Sequence, residues 1–248
     1  MSVLGLSFVP GSRAEVLDRL LALARLPVPG HVVFADTNVL MEASENPAFH
    51  ALVARAALVL ADGTPVWLAA RRHDRRVARH PGPDVTPELL ARAAADGVPV
   101  GFVGLDAARL QDLAAAVRAR WPALQVTLLH DPGFGTASEL AKPVLRDAIV
   151  ASGARLVFVG LGCPKQETVM DLLAPVPGAL LLGVGQALDL LAGSTSRAPT
   201  WMRRTGLEWA YRLAHDPRRL GRRYARAARF PFVVAAHERR ARRAKETP

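Results

Sequence analysis

Leu156-Val-Phe-Val-Gly160 runs without a break into Leu161-Gly-Cys-Pro-Lys-Gln-Glu167. An unbroken apolar run, two glycines, a proline and a polar start read as a buried strand, a tight turn and a helix. A strand apolar on both faces belongs to a parallel sheet covered by helices on each side. Lys165 and the helix N-terminus favour a phosphate or diphosphate; a plain turn carrying a surface lysine accounts for the same residues. Working outward, strands are expected at Val3–Phe8, His31–Ala35, Leu58–Ala61, Val98–Val103, Gln125–Leu129 and Ala179–Val184. Helices are expected at Arg13–Ala24, Leu40–Ala54, Thr86–Ala95, Ala107–Arg120, Ala137–Ser152 and Lys165–Leu173. This alternation predicts a doubly wound, Rossmann-like α/β fold, with a mostly parallel sheet and helices on both faces.

Ligands of such sheets bind beyond the carboxyl ends of the strands. Polar signatures follow the expected strands there: Asp36-Thr37-Asn38, Asp62-Gly63-Thr64, Gly104-Leu-Asp106, Gly162 to Glu167, and Gly185-Gln-Ala-Leu-Asp189. Asp62 is a candidate general base, although an Asp-Gly pair alone is also an ordinary turn. Asp189 suits either a helix start or a ribose contact. Gly101-Phe-Val-Gly104 lacks the full dinucleotide-loop spacing. Cys163 has no histidine base beside it and reads as a small filler. The histidines show no metal-ligand spacing, and His73 and His80 sit among arginines in a stretch expected to be solvated; no metal or cofactor is assigned.

The 248 residues carry a net charge of +10, with 32 basic and 22 acidic residues. Residues 1–196 are close to neutral, whereas residues 197–248 hold 15 basic and 4 acidic residues. A core of residues 1–196 and an Arg-rich helical appendage of residues 197–248 follow. Half of the residues are hydrophobic, which excludes a disordered chain. One cysteine excludes an internal disulfide framework. The N-terminal segment lacks a basic n-region and reads as a strand rather than a signal peptide. No run is long enough to span a bilayer. Aromatic residues interleaved with the appendage arginines suit an anionic lipid interface. Nucleic acid would use the same arginines, but no reader motif accompanies them. A non-catalytic nucleotide-sugar or nucleic-acid binder is the rival reading, and a membrane scaffold a weaker one.

Taken together, the series Val159 to Glu167, Gly183 to Asp189, Ala192-Gly193, Arg197-Ala-Pro199, Trp201, Gly206 to Trp209, Tyr211-Arg212-Leu213, Pro217 to Leu220 and Arg223-Tyr224 resembles the WecG/TagA/CpsF family of bacterial glycosyltransferases. Asn38, Asp62-Gly63, Arg79, Gly82 and Asp84 fall in the family's order. The resemblance implies inverting, metal-independent transfer of a sugar from a UDP-sugar to a polyprenyl-diphosphate-linked acceptor. The implied sugar is of the N-acetylmannosamine type or a related hexose or uronic acid. It further implies a cytoplasmic enzyme, peripheral on the inner face of the cell membrane; a homo-oligomer and no nucleic-acid partner are expected. By motif, Asp62 takes the place of the base, with Asn38, Gln166 and Arg79 beside it. Thr37, Gly162, Pro164, Lys165, Glu167, Gly183, Gly185 and Asp189 fall on the substrate side, with Arg197, Arg212, Arg219, Arg222 and Arg223 directed to the diphosphates. One departure is Asp36, where the family often has threonine.

Overall fold

The computed structural model describes residues 2–246, apart from the side chains at positions 203, 204, 212, 215, 219, 241, 242 and 244–246. Six strands form one sheet: β1 (His31–Ala35), β2 (Leu58–Ala61), β3 (Val100–Val103), β4 (Val126–His130), β5 (Leu156–Val159) and β6 (Leu180–Gly183). Their order is β2-β1-β6-β5-β3-β4, and every pairing is parallel. The expected Rossmann-like α/β fold is present, with an all-parallel rather than mostly parallel sheet. Parallel pairing puts all six carboxyl ends on one rim.

Residue alternation along each strand divides the core between the two faces. Val32, Phe34, Phe102 and Phe158 point to one face, where they meet α1 (Arg13–Ala24), α5 (Gly82–Ala95), α6 (Ala107–Arg120) and α10 (Ala187–Leu191). The Phe102 and Phe158 rings stack at 5.5 Å between centroids. Val33 and Ala35 point to the other face, against α2 (Thr37–Glu45), α3 (Pro47–Ala54) and α4 (Thr64–His73). Val157, Val159 and Leu181 continue that face toward α7 (Ala137–Leu140), α8 (Pro143–Ser152) and α9 (Lys165–Leu173).

Several expectations are corrected. Val3–Phe8 is not a strand: Leu4 and Gly5 have φ of 52° and 82°, and Val3 pairs with Leu6 across that tight turn. The single helix expected over Leu40–Ala54 is two helices, because Asn46 ends α2 and its side chain caps α3 through the Ala48 and Phe49 N–H groups at 3.1 and 3.2 Å. The helix expected over Ala137–Ser152 divides before Pro143, which opens α8. Finally, α4 went unpredicted and α5 begins at Gly82 rather than Thr86.

The basic C-terminal segment is helical, comprising α11 (Thr200–Thr205), α12 (Glu208–His215), α13 (Pro217–Ala227) and α14 (Phe230–Glu246). It is not merely appended. Phe230 and Val234 of α14 are buried in the cluster that includes Val66 and Ala70 of α4 and Leu40 of α2. Glu238 meets His73 at 3.1 Å.

Candidate active site

The carboxyl ends of β1 and β2 build the most polar corner of the rim. Asp36 leaves β1 and caps α2, its Oδ1 accepting the Asn38 and Val39 N–H groups at 2.8 and 3.0 Å. Asp62 leaves β2, and its Oδ2 accepts the Gly82 N–H at 3.4 Å. The two loops touch: a Cβ on Gly63 would lie 3.8 Å from the Asp36 Cα. Thr64 Oγ1 accepts from Arg79 Nη1 at 2.8 Å. Asp62, Arg79 and the first turn of α2, with Thr37 and Asn38, therefore lie at one corner of the rim. Arg223 of α13 enters the same corner and pairs with the second oxygen of Asp36.

Behind Arg79, the segment is held by a residue that the sequence misplaced. His80 is not solvated; it is 0% exposed. Its Nδ1 accepts from Arg13 Nε at 3.4 Å, Nε2 faces the Gly11 carbonyl at 3.2 Å, and the same guanidinium donates to the Arg79 carbonyl at 3.1 Å. Burial first, then the Arg13 charge, push its pKa down to about 4. As pH falls from 7, the unfolded chain takes up this proton before the folded one, so stability is lost on acidification. Between pH 7 and 5 the loss through His80 should be about 2 kcal/mol. His80→Gln should remove that part of the pH dependence in urea unfolding. His31, buried and lowered in the same sense, keeps a remainder.

The turn after β5 is tied to β6 through Gln166, which is only 5% exposed. Its Oε1 accepts the Gly162 N–H at 3.2 Å, while Nε2 donates to the Gly183 carbonyl at 3.0 Å and to Glu167 Oε1 at 2.8 Å. The N–H of Gly162, a residue placed on the substrate side by motif, is thus engaged internally, and Gln166 braces the rim. Gly183 ends β6, where a Cβ would come within 2.7 Å of Met170 Cε and 3.2 Å of Gln166 Nε2. Its small size serves this packing. Gly104, at φ 121°, passes so close to the Gly160 carbonyl that a Cβ would sit 2.7 Å away. Lys165 opens α9 half-buried, Pro164 before it is exposed, and Gly185 leaves β6 beside Gln166.

Glu167 is fully buried, and its Oε2 has no hydrogen-bond partner among the described residues. Burial raises its pKa to about 7, and burial also raises that of the neighbouring Cys163 thiol. Between pH 4.5 and 7 the folded chain holds a proton on Glu167 that the unfolded chain has lost, so this residue weakens folding as pH rises. Glu167→Gln keeps an acceptor for Gln166. Its stability relative to the unsubstituted protein should improve by about 2–3 kcal/mol between pH 5 and pH 8.

The remaining described candidates are engaged with other partners or face solvent. Asp189 of α10 pairs with Arg109 of α6 at 2.8 Å, and Arg109 also holds Asp106. Arg197 pairs with Asp84 at 2.6 Å, and its buried Nε is unpartnered among the described residues. Arg222 is exposed. The side chains of Arg212 and Arg219 lie outside the described residues. Thr64 stands in the Asp62-Gly63-Thr64 signature, but nothing there marks its bond to Arg79, and nothing local marks the Arg13–His80 pair.

The model of the glycosyl transferase WecG/TagA/CpsF family matches residues 1–245. The chain belongs to this family. The protein is accordingly a glycosyltransferase of cell-surface polysaccharide synthesis, which decides against the non-catalytic binder and the scaffold. No helix among the described residues is long and apolar enough to cross a membrane.

Proposed function

We propose that this glycosyltransferase moves a sugar, with inversion, from a UDP-sugar to a polyprenyl-diphosphate-linked saccharide, using Asp62 as general base. The observation that carries this reading is the meeting of Asp62, Arg79, the α2 first turn and the appendage residue Arg223 at one corner of the rim. Asp62 removes the proton of the acceptor hydroxyl as its oxygen attacks the anomeric carbon from the face opposite UDP. The bond from that carbon to the UDP oxygen breaks, and the departing diphosphate takes the electron pair. Planar guanidinium groups suit a diphosphate because they grip two oxygens at once. Arg79, bonded to Thr64, and Arg223, bonded to Asp36, are the candidates at this corner, and Lys165 at the α9 N-terminus adds positive charge on the β5 side.

The acceptor's lipid brings the reaction to the inner face of the cell membrane. Trp201, Trp209 and Phe232 are exposed on the appendage, as are Arg218, Arg222 and Arg229. Such residues suit an anionic bilayer surface, where each basic group contributes about 1 kcal/mol. The test is transfer of radiolabelled sugar from a panel of UDP-sugars to a polyprenyl-diphosphate saccharide in anionic vesicles. Transfer from at least one donor is expected. No transfer from any would overturn the reading.

A further inference from the structure

We propose that Asp36 is a positioning residue that fixes Arg223 of the appendage at the mouth of the Asp62 corner. The inference rests on the reading that Arg223 meets a substrate diphosphate. Asp36 divides its two oxygens between different tasks. Oδ1 is held by two N–H groups of the α2 first turn, at 2.8 and 3.0 Å, and Oδ2 receives Arg223 Nη2. The helix cap therefore sets the direction of the oxygen that meets the arginine. A guanidinium has five N–H donors, so one carboxylate oxygen does not exhaust it.

The contact is part of a seam. Three residues along α13 from Arg223, Arg226 Nη2 reaches Glu42 Oε2 at 2.8 Å and Glu45 Oε2 at 2.7 Å, both farther along α2. Two arginines thus meet three carboxylates, while no described residue of α13 is fully buried. Charge, not apolar burial, sets where α13 lies against α2. The Arg223 side chain keeps 40% of its surface exposed; its partial desolvation opposes the charge, and the facing Asp36 carboxylate more than offsets it. Asp36 also adjoins Gly63 and hence Asp62, so the arginine it holds is held beside the base.

Asp36→Asn isolates the role, because asparagine caps a helix about as well as aspartate and α2 should remain intact. Two readouts on the full chain test it. The first is amide hydrogen exchange over residues 217–227, which needs no substrate. Exchange there should quicken at least tenfold in Asp36→Asn, and also in the unsubstituted protein at 0.5 M NaCl, since exposed ion pairs are screened. The second is kcat/KM for the lipid-linked acceptor, with Asp36→Asn, Arg223→Gln and the double variant. Each single change should lower it about tenfold, the scale of one charge-assisted hydrogen bond, and the double should be no worse than Arg223→Gln. Unchanged exchange in Asp36→Asn overturns the proposal, as do losses that multiply in the double variant. Loss of the functional reading is separately visible: the unsubstituted protein then transfers no sugar, while the exchange experiment still decides whether Asp36 fixes α13.

Discussion

Asp62→Asn should lower sugar transfer by about a thousandfold, within the range that a positioned general base contributes, while leaving the fold and UDP affinity in place. The substitution is nearly isosteric. The side-chain oxygen of asparagine can still accept the Gly82 N–H that now lies 3.4 Å from Asp62 Oδ2, so the approach of α5 to the β2 end is retained. What disappears is a carboxylate able to take the acceptor's proton. Because that role belongs to the chemical step, the loss should fall on kcat, with the KM values for donor and acceptor changing little. This pattern differs from that expected of Asp36→Asn, where a displaced Arg223 weakens the hold on a substrate diphosphate. Calorimetric UDP binding and far-ultraviolet circular dichroism would check that the variant is otherwise intact. Transfer that survives within threefold would remove Asp62 from the role of base.

The corner containing Asp62 was legible because its parts follow strand ends in a sheet whose direction the apolar runs already fix. Val157, Val159 and Leu181 on one face, and Phe158 and Leu182 on the other, are all buried; hence the uninterrupted hydrophobic strands. The helix breaks at Asn46-Pro47 and before Pro143 were also written locally, as a capping side chain and prolines that open helices. The segment around Leu4-Gly5 shows the limit of composition: its residues suit a strand, but a reversal at positive φ turns the chain back on itself. His80 was misread for a different reason. Its partners Gly11 and Arg13 lie more than 65 residues away, and its backbone N–H pairs with the Ala61 carbonyl. Nothing in the run of arginines near it signals that enclosure. Asp36 and Arg223, 187 residues apart, could be read separately as a helix cap and a basic tail, but not as a pair.

Truncation after Ser196 should destabilise the core severely, rather than produce a sound enzyme that has lost only its membrane contact. From charge alone, residues 197–248 look separable, and their removal is expected to reduce UDP affinity modestly and membrane binding and turnover strongly. The packing changes that expectation. Phe230 is 2% exposed and Val234 5%, both within the cluster that covers the β1 and β2 face of the sheet. Phe230→Ala alone should cost about 3–5 kcal/mol, a large share of the 5–15 kcal/mol typical of a folded domain. Truncation removes Phe230 and Val234 together, and uncovers the apolar surface of α2 and α4 against which they lie. Lower thermal stability and aggregation should therefore accompany the lost turnover, so truncation by itself cannot isolate the role of lipid. Surface substitutions can. Trp201→Ser and Phe232→Ser with Arg218→Gln and Arg229→Gln alter exposed side chains only, and should shift the unfolding midpoint by no more than about 2 °C. Affinity for anionic vesicles should fall at least about thirtyfold, given two arginines at about 1 kcal/mol each. Vesicle sedimentation and a thermal melt on the same preparation decide the matter. Undiminished vesicle binding with an unchanged melt would mean that these residues do not meet the membrane. A melt that drops as far as that of Phe230→Ala would mean that the exposed face contributes to the core after all.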